Sequence, residues 1–202
     1  MSAVEITIHP PSSTHPSLSE GTFDRSWFMG KWGVAWSTLP MWKGKKDVTI
    51  TYTPIAGTEN HTKFEDLVEY KKESAAEGSK PSTGQLYDPF PYRNANAATF
   101  DWKGSSYLFF VHSHWEVLGF GKDEINGLEW AVTFFSKTLF TPAGIDIYLR
   151  SPSPASSEPN PSSQDTTIRS DLVKKIVSAM SEISQGGVSE LARSGFEVPG
   201  IV

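Results

Sequence analysis

The sequence contains no cysteine, which excludes disulfides, thiolate metal sites and cysteine nucleophiles together and suits a reducing compartment. No apolar run approaches the ~20 residues needed to span a bilayer. Residues 1–24 carry neither a basic start nor an apolar stretch of leader length. These absences set the expectation of a cytoplasmic protein without a membrane span. There is no Gly-x-Ser-x-Gly elbow and no glycine-rich loop between a strand and a helix, so neither hydrolase nor nucleotide chemistry has a sequence basis. The net charge is -5, and the basic residues fall in short groups at 43–46, 71–72 and 174–175. They lack the continuous stripe that a phosphate backbone requires, so nucleic acid is not an expected partner. His112 and His114 could share a strand face, but no third ligand accompanies them. Neither a metal nor a cofactor is expected.

What the chain has in quantity is aromatic surface: seven Trp, twelve Phe and six Tyr, set among 16 Gly and 14 Pro in 202 residues. Aromatics at this density fill a β core, line an apolar cavity, or do both. A single domain is expected, with an N-terminal arm at 1–22, a β region at 23–152, a linker at 153–167 and a C-terminal helix and tail at 168–198. Val4, Ile6 and Ile8 alternate before His9-Pro10-Pro11, which predicts a short edge segment followed by a loose arm. Short β-like runs then recur at 31–37, 48–53, 64–72, 84–87, 97–102, 114–121, 128–136 and 145–150, separated by turn clusters. Eight is the smallest strand number that closes with room for one small ligand. After a Ser/Pro/Asn-rich stretch, Leu172, Ile176, Met180 and Ile183 follow helical spacing, with Thr167 or Ser170 as prospective N-cap and Gly186-Gly187 as a stop.

Three stretches resemble, in order, the sequence motifs of the lipocalin family. Phe28-Met29-Gly30-Lys31-Trp32 resembles its Gly-x-Trp at the first strand. Gly119-Phe120-Gly121-Lys122-Asp123-Glu124 sits where that family has a Thr-Asp-Tyr turn, here without the tyrosine. Ile147-Tyr148-Leu149-Arg150 is similar to its last strand, whose arginine packs over the tryptophan. The resemblance implies an all-β fold: an eight-stranded antiparallel up-and-down barrel of the calycin type with one helix packed outside. Trp32 would plug the closed end, Arg150 would stack over it, and the Asp123 turn would seal that rim. The departure in the second motif means that no receptor or partner role attached to that turn is carried over.

On this scheme the loops at 38–42, 105–111 and 138–142 surround the opposite end, and they carry Met41, Trp42, Phe109 and Phe140. An apolar rim of that kind marks a ligand entrance, a protein contact or an inward-folded plug. Strand alternation places Trp36 with Trp32 and Val34 on the inner face, then Tyr52, then Phe64, Asp66, Val68 and Tyr70, then Trp115, and finally Trp130 and Phe134. Candidate ligand contacts are therefore Trp36, Met41, Trp42, Tyr52, Phe64, Tyr70, Phe109, Trp115, Trp130 and Phe134. Candidate catalytic groups are Tyr52, Tyr70 and Asp66. Asp146 is expected to pair with a neighbour on its own face, because a buried carboxylate without a partner is costly.

Such a lining suits a large, mostly hydrocarbon or polyene molecule with one or two polar groups. The expected partner is thus a hydrophobic small molecule. Two functions are compatible with enclosing it. Resemblance to lipocalin-like cyclases of fungal natural-product pathways, of the Diels-Alderase type, implies a cofactor-free cyclase or isomerase of secondary-metabolite biosynthesis that works by fixing a reactive geometry. The alternative is an intracellular carrier that stores the molecule unchanged. A third reading has the apolar end meeting a protein partner.

Overall fold

In the computed structural model, residues 5–57, 63–76, 82–91, 96–103, 112–139, 141–151 and 163–200 are described. Nine strands form one antiparallel sheet: β1 (Gly30–Ser37), β2 (Lys45–Pro54), β3 (Phe64–Lys72), β4 (Ser82–Pro91), β5 (Thr99–Lys103), β6 (His112–Lys122), β7 (Glu129–Phe135), β8 (Gly144–Arg150) and β9 (Phe196–Glu197). Each of β2 to β8 pairs with its sequence neighbour, the up-and-down order, and β1 pairs with both β2 and β8. The short β9 adds to β1 at Trp36 and Ser37. Helix α1 (Arg25–Phe28) precedes the sheet, and α2 (Ser163–Ser181) and α3 (Val188–Ala192) follow it.

The sheet buries both faces, and the two cores have different owners. On the inner face Phe28, Trp32, Tyr52, Phe64, Phe100, Trp115 and Tyr148 pack together. On the outer face Trp36, Trp130, Val132, Phe134, Ile145, Ile147 and Leu149 meet the helix residues Leu172, Ile176 and Met180. Those three recur every four positions and so form one stripe along α2. Burying each contributes about 1.5–3 kcal/mol, and Val173, Ile168 and Val177 widen the stripe, which is why this helix lies on the sheet. The helix begins a turn earlier than its capping residues predict: Thr167 and Ser170 lie inside it. Gly187, at φ 72°, instead opens α3, a left-handed position that glycine adopts without a Cβ penalty.

The inner and outer assignments differ from simple alternation because of bulges. Between Val34 and Trp36 the pairing of β1 with β8 slips by one residue, so that Val34 faces Tyr148 whereas Trp36 faces Ile147. The extra residue reverses the parity of everything after it. Trp32 and Val34 point inward, Trp36 points outward, and Ser37 returns to the inner face opposite Asp146. Gly195 lies against the Trp36 ring so closely that a Cβ there would fall 1.8 Å from it. The N-terminal arm also differs from its expectation. It forms no strand over the described residues, yet it is docked: His9 N–H donates to the Leu118 carbonyl at 2.8 Å, and Leu18 is buried.

The base of the sheet has the geometry that the motifs imply. The Arg150 guanidinium lies 3.9 Å from the Trp32 ring centre. It donates to the carbonyls of Met29 and Trp27 and to the Glu129 carboxylate. Gly30 stands at φ 98° beside it, a backbone conformation that other residues rarely adopt. The turn between β6 and β7 is tied by Asp123, whose carboxylate accepts from the backbone of Ile125 and the side chain of Asn126.

Candidate functional site: the inner face of the sheet

The floor of the interior is aromatic. Phe28, delivered by α1, stacks on Tyr52 at 5.0 Å between ring centres. Tyr52 stacks on Trp115 at 5.7 Å, and Trp115 on Phe100 at 4.5 Å. Phe64 closes edge-on against Tyr52, Phe100 and Trp115. Offset and edge contacts of this kind add to the burial of area, and the floor is accordingly tight, with Phe28 and Phe64 wholly buried.

Above this floor the inner face is polar and less closely covered. Asp66, Val68 and Tyr70, which continue β3 from Phe64, each retain some exposed surface. Asp66 sits opposite Tyr52 in the β2–β3 register. Although the residue keeps some exposure along its strand, its Oδ1 is wholly buried and has no hydrogen-bond partner. Burial without a partner pushes its carboxyl up to about 7, because desolvation disfavours the charged form. Tyr52 and Tyr148 approach hydroxyl to hydroxyl at 3.4 Å. Burial raises both phenols well above their ordinary value, reinforced by neighbouring acidic groups.

A second carboxyl, Asp146, is fully buried at the far end of the interior but is well partnered. It accepts from the Ser37 hydroxyl and from the Trp42 indole N–H at 3.1 Å. Ser37 Oγ in turn accepts from the Leu39 backbone N–H at 2.8 Å. Burial raises Asp146 to about 7 against the opposing pull of these two donors. The network fixes the loop after β1, whose single 3-10 turn (Pro40–Trp42) folds Trp42 inward and leaves Met41 half exposed. Lys45 Nζ lies over the Tyr70 ring at 3.8 Å and the Trp42 ring at 5.3 Å. On the outer side His114 is held between Asp101 at 3.0 Å and Glu116 at 3.3 Å.

The expected site residues therefore divide. Trp42, Tyr52, Phe64, Asp66, Tyr70 and Trp115 share the interior, with Met41 on the rim. Trp36, Trp130 and Phe134 do not: they belong to the layer beneath α2. In β7 the inward positions are Ala131, Thr133 and Phe135, opposite Tyr148, Asp146 and Gly144. Phe109 and Phe140 lie outside the described residues. Sequence reasoning missed Ser37, Thr133, Tyr148 and Lys45. The signal for Tyr148 was present in β8, where Asp146 and Tyr148 alternate with Ile145, Ile147 and Leu149.

Among solved structures the chain is similar to apocrustacyanin C1, at 14% identity and a TM-score of 0.52 over 100% of this chain and 94% of that one. The fold is lipocalin-like. Apocrustacyanin C2 aligns at 12% identity and a TM-score of 0.48, over 100% and 94% of the two chains. The siderocalin Ex-FABP aligns at 12% and 0.40, over 86% and 95%. The sequence matches no family model and no curated protein. No helix among the described residues is long and apolar enough to cross a membrane.

Proposed function

We propose that this chain is a closed eight-stranded lipocalin-like barrel that encloses a predominantly apolar small molecule between its aromatic floor and the Trp42 loop. The supporting observation is the contrast along β3. Phe64 is sealed into the floor, whereas Asp66, Val68 and Tyr70, further along the same face, are only partly buried, with Val68 and Tyr70 packed against that floor, as expected where the interior opens beyond it. Tyr70 and Trp42 would contact the molecule near its point of access, and Tyr52 and Trp115 from below. Burying about 400 Å² of apolar ligand surface would favour binding by on the order of 10 kcal/mol gross. Ordering and association costs would bring that to roughly micromolar affinity. The test is native mass spectrometry and solvent extraction of the purified protein. A co-purifying hydrophobe supports enclosure. A protein that carries none, and whose tryptophan emission ignores a panel of polyenes and long-chain amphiphiles, refutes it.

A second reading makes the same interior catalytic, as a cofactor-free cyclase or isomerase of a flexible unsaturated substrate. The observation that favours it is a carboxyl near neutrality beside two phenols. A group with that pKa both gives and takes a proton at neutral pH, and Tyr52 or Asp66 could polarise a substrate carbonyl. Tyr70, with its ring under Lys45, would position substrate in this scheme. Incubating the extracted molecule with fresh protein separates the readings: a ring-closed or isomerised product selects the enzyme, and unchanged molecule selects a carrier.

A further inference from the structure

We infer that the molecule this interior takes carries a hydrogen-bond-donating head, best a protonated amine, and that Asp66 receives it; the inference rests on the enclosing function proposed above. Its basis is an inventory of the charged and polar groups on the inner face. Asp146 has its own donors in Ser37 and Trp42. The hydroxyls of Tyr52 and Tyr148 turn to one another. Asp66 Oδ1, set between the aromatic floor and the far end of the interior, is fully buried and accepts from nothing. Buried polar atoms in folded proteins are nearly always satisfied, and a carboxyl is the most costly group to leave without a donor. An orphan acceptor on the wall of a binding site is suited to a donor that a ligand brings with it.

The cations of the described residues do not supply that donor. Arg150 lies beyond Trp32, and its guanidinium is spent on Met29, Trp27 and Glu129. Lys45 stands on the ring faces of Tyr70 and Trp42 near the access point. The interior therefore presents one unanswered carboxyl, Asp66, to whatever enters it, Asp146 being fully buried with its own donors. An anionic head, such as that of a fatty acid, would meet like charge at Asp66, while Lys45, the cation described on that face, is held over the Tyr70 and Trp42 rings. A neutral hydroxyl could donate to Asp66. A protonated amine would donate and also cancel the charge, drawing Asp66 back towards the ordinary carboxylate range.

The experiment uses three probes of one chain length, dodecylamine, dodecanol and dodecanoate, titrated below their aggregation limits at about pH 8 with tryptophan emission as readout. Because the hydrocarbon is constant, differences in affinity report the head group. The wild-type protein should bind the amine at least about tenfold more tightly than the carboxylate, with the alcohol between, the difference expected of one hydrogen bond to a charged group. In Asp66→Asn the amine should fall to the level of the alcohol, while the alcohol changes by less than about threefold, since a neutral amide can still accept. Equal affinity for all three heads would mean that Oδ1 faces only water, and it would overturn the inference while leaving enclosure intact. So would the carboxylate binding best, or an amine preference that survives Asp66→Asn and disappears in Asp146→Asn. Failure of all three probes to bind would overturn the enclosing function, and this inference with it.

Discussion

The Asp66 carboxyl makes a prediction about folding that is independent of any ligand. Its value is raised from 3.8 to about 7 in the folded chain because it is buried without a partner. A raised carboxyl holds its proton in the folded state at pH values where the unfolded chain has lost it. The folded state therefore binds more protons across that window, and stability falls as pH rises from about 4 to about 7 and then levels off. A shift of this size corresponds to at most about 4 kcal/mol. Asp66→Asn removes that slope, while the same slope from Asp146 persists in both proteins and cancels in the difference. Urea unfolding followed by tryptophan emission should place the two proteins within about 1 kcal/mol of each other near pH 4, where both side chains are neutral. Near pH 8 the asparagine variant should be the more stable, by up to about 4 kcal/mol. With an m-value of about 2–3 kcal/mol/M, the midpoint would differ by roughly 1–2 M. Parallel pH profiles for the two proteins would refute the reasoning, because they would show that the carboxyl is solvated or paired in solution.

Arg150→Met should lower stability by about 3–5 kcal/mol, since it leaves the Glu129 carboxylate and two backbone carbonyls without their donor; an unchanged melting temperature would remove the base from the account of the fold. Trp36→Ala and Trp130→Ala should each cost about 3–5 kcal/mol and leave probe affinity in the surviving folded protein unchanged, because both side chains lie beneath α2; loss of binding at full stability would put them back in the interior. Trp130→Phe should cost far less than the alanine variant, because it also deletes an indole N–H that has no partner. Trp42→Phe should keep the fold but release the loop from Asp146, so that ligand dissociation measured by stopped flow quickens by up to about tenfold, the worth of one hydrogen bond; an unchanged rate would mean that this loop does not lie on the exit path.

The order and type of the elements could be read without coordinates where one face of a strand is apolar and the other polar. β3 is the clearest case: Phe64–Lys72 was bounded correctly because Glu65, Glu69 and Lys71 alternate with Phe64, Val68 and Tyr70. Alternation failed in β7, Glu-Trp-Ala-Val-Thr-Phe-Phe. There the layer beneath α2 covers the outer face, so that both faces of β7 carry apolar side chains and neither parity is preferred. The parity chosen from the sequence put Trp130 in the interior, whereas the pairing of Ala131 with Tyr148 puts the small residue there.

By itself the sequence determined a run of short strands followed by an amphipathic helix, because turn residues, β-branched and aromatic runs and a four-residue apolar period are local properties; the antiparallel meander and the meeting of Trp32 with Arg150 were implied by the resemblance of the motifs. Which aromatic side chains face inward was decided only in three dimensions. One extra residue between Val34 and Trp36 turns a whole strand end over, and nothing in the neighbouring sequence announces it, since a bulge is a property of two paired strands and not of either one. The partnering of the two acids was decided in the same way. Asp66 and Asp146 are alike as letters, but Ser37 and Trp42 reach only one of them, and the Oδ1 of the other is buried without a donor.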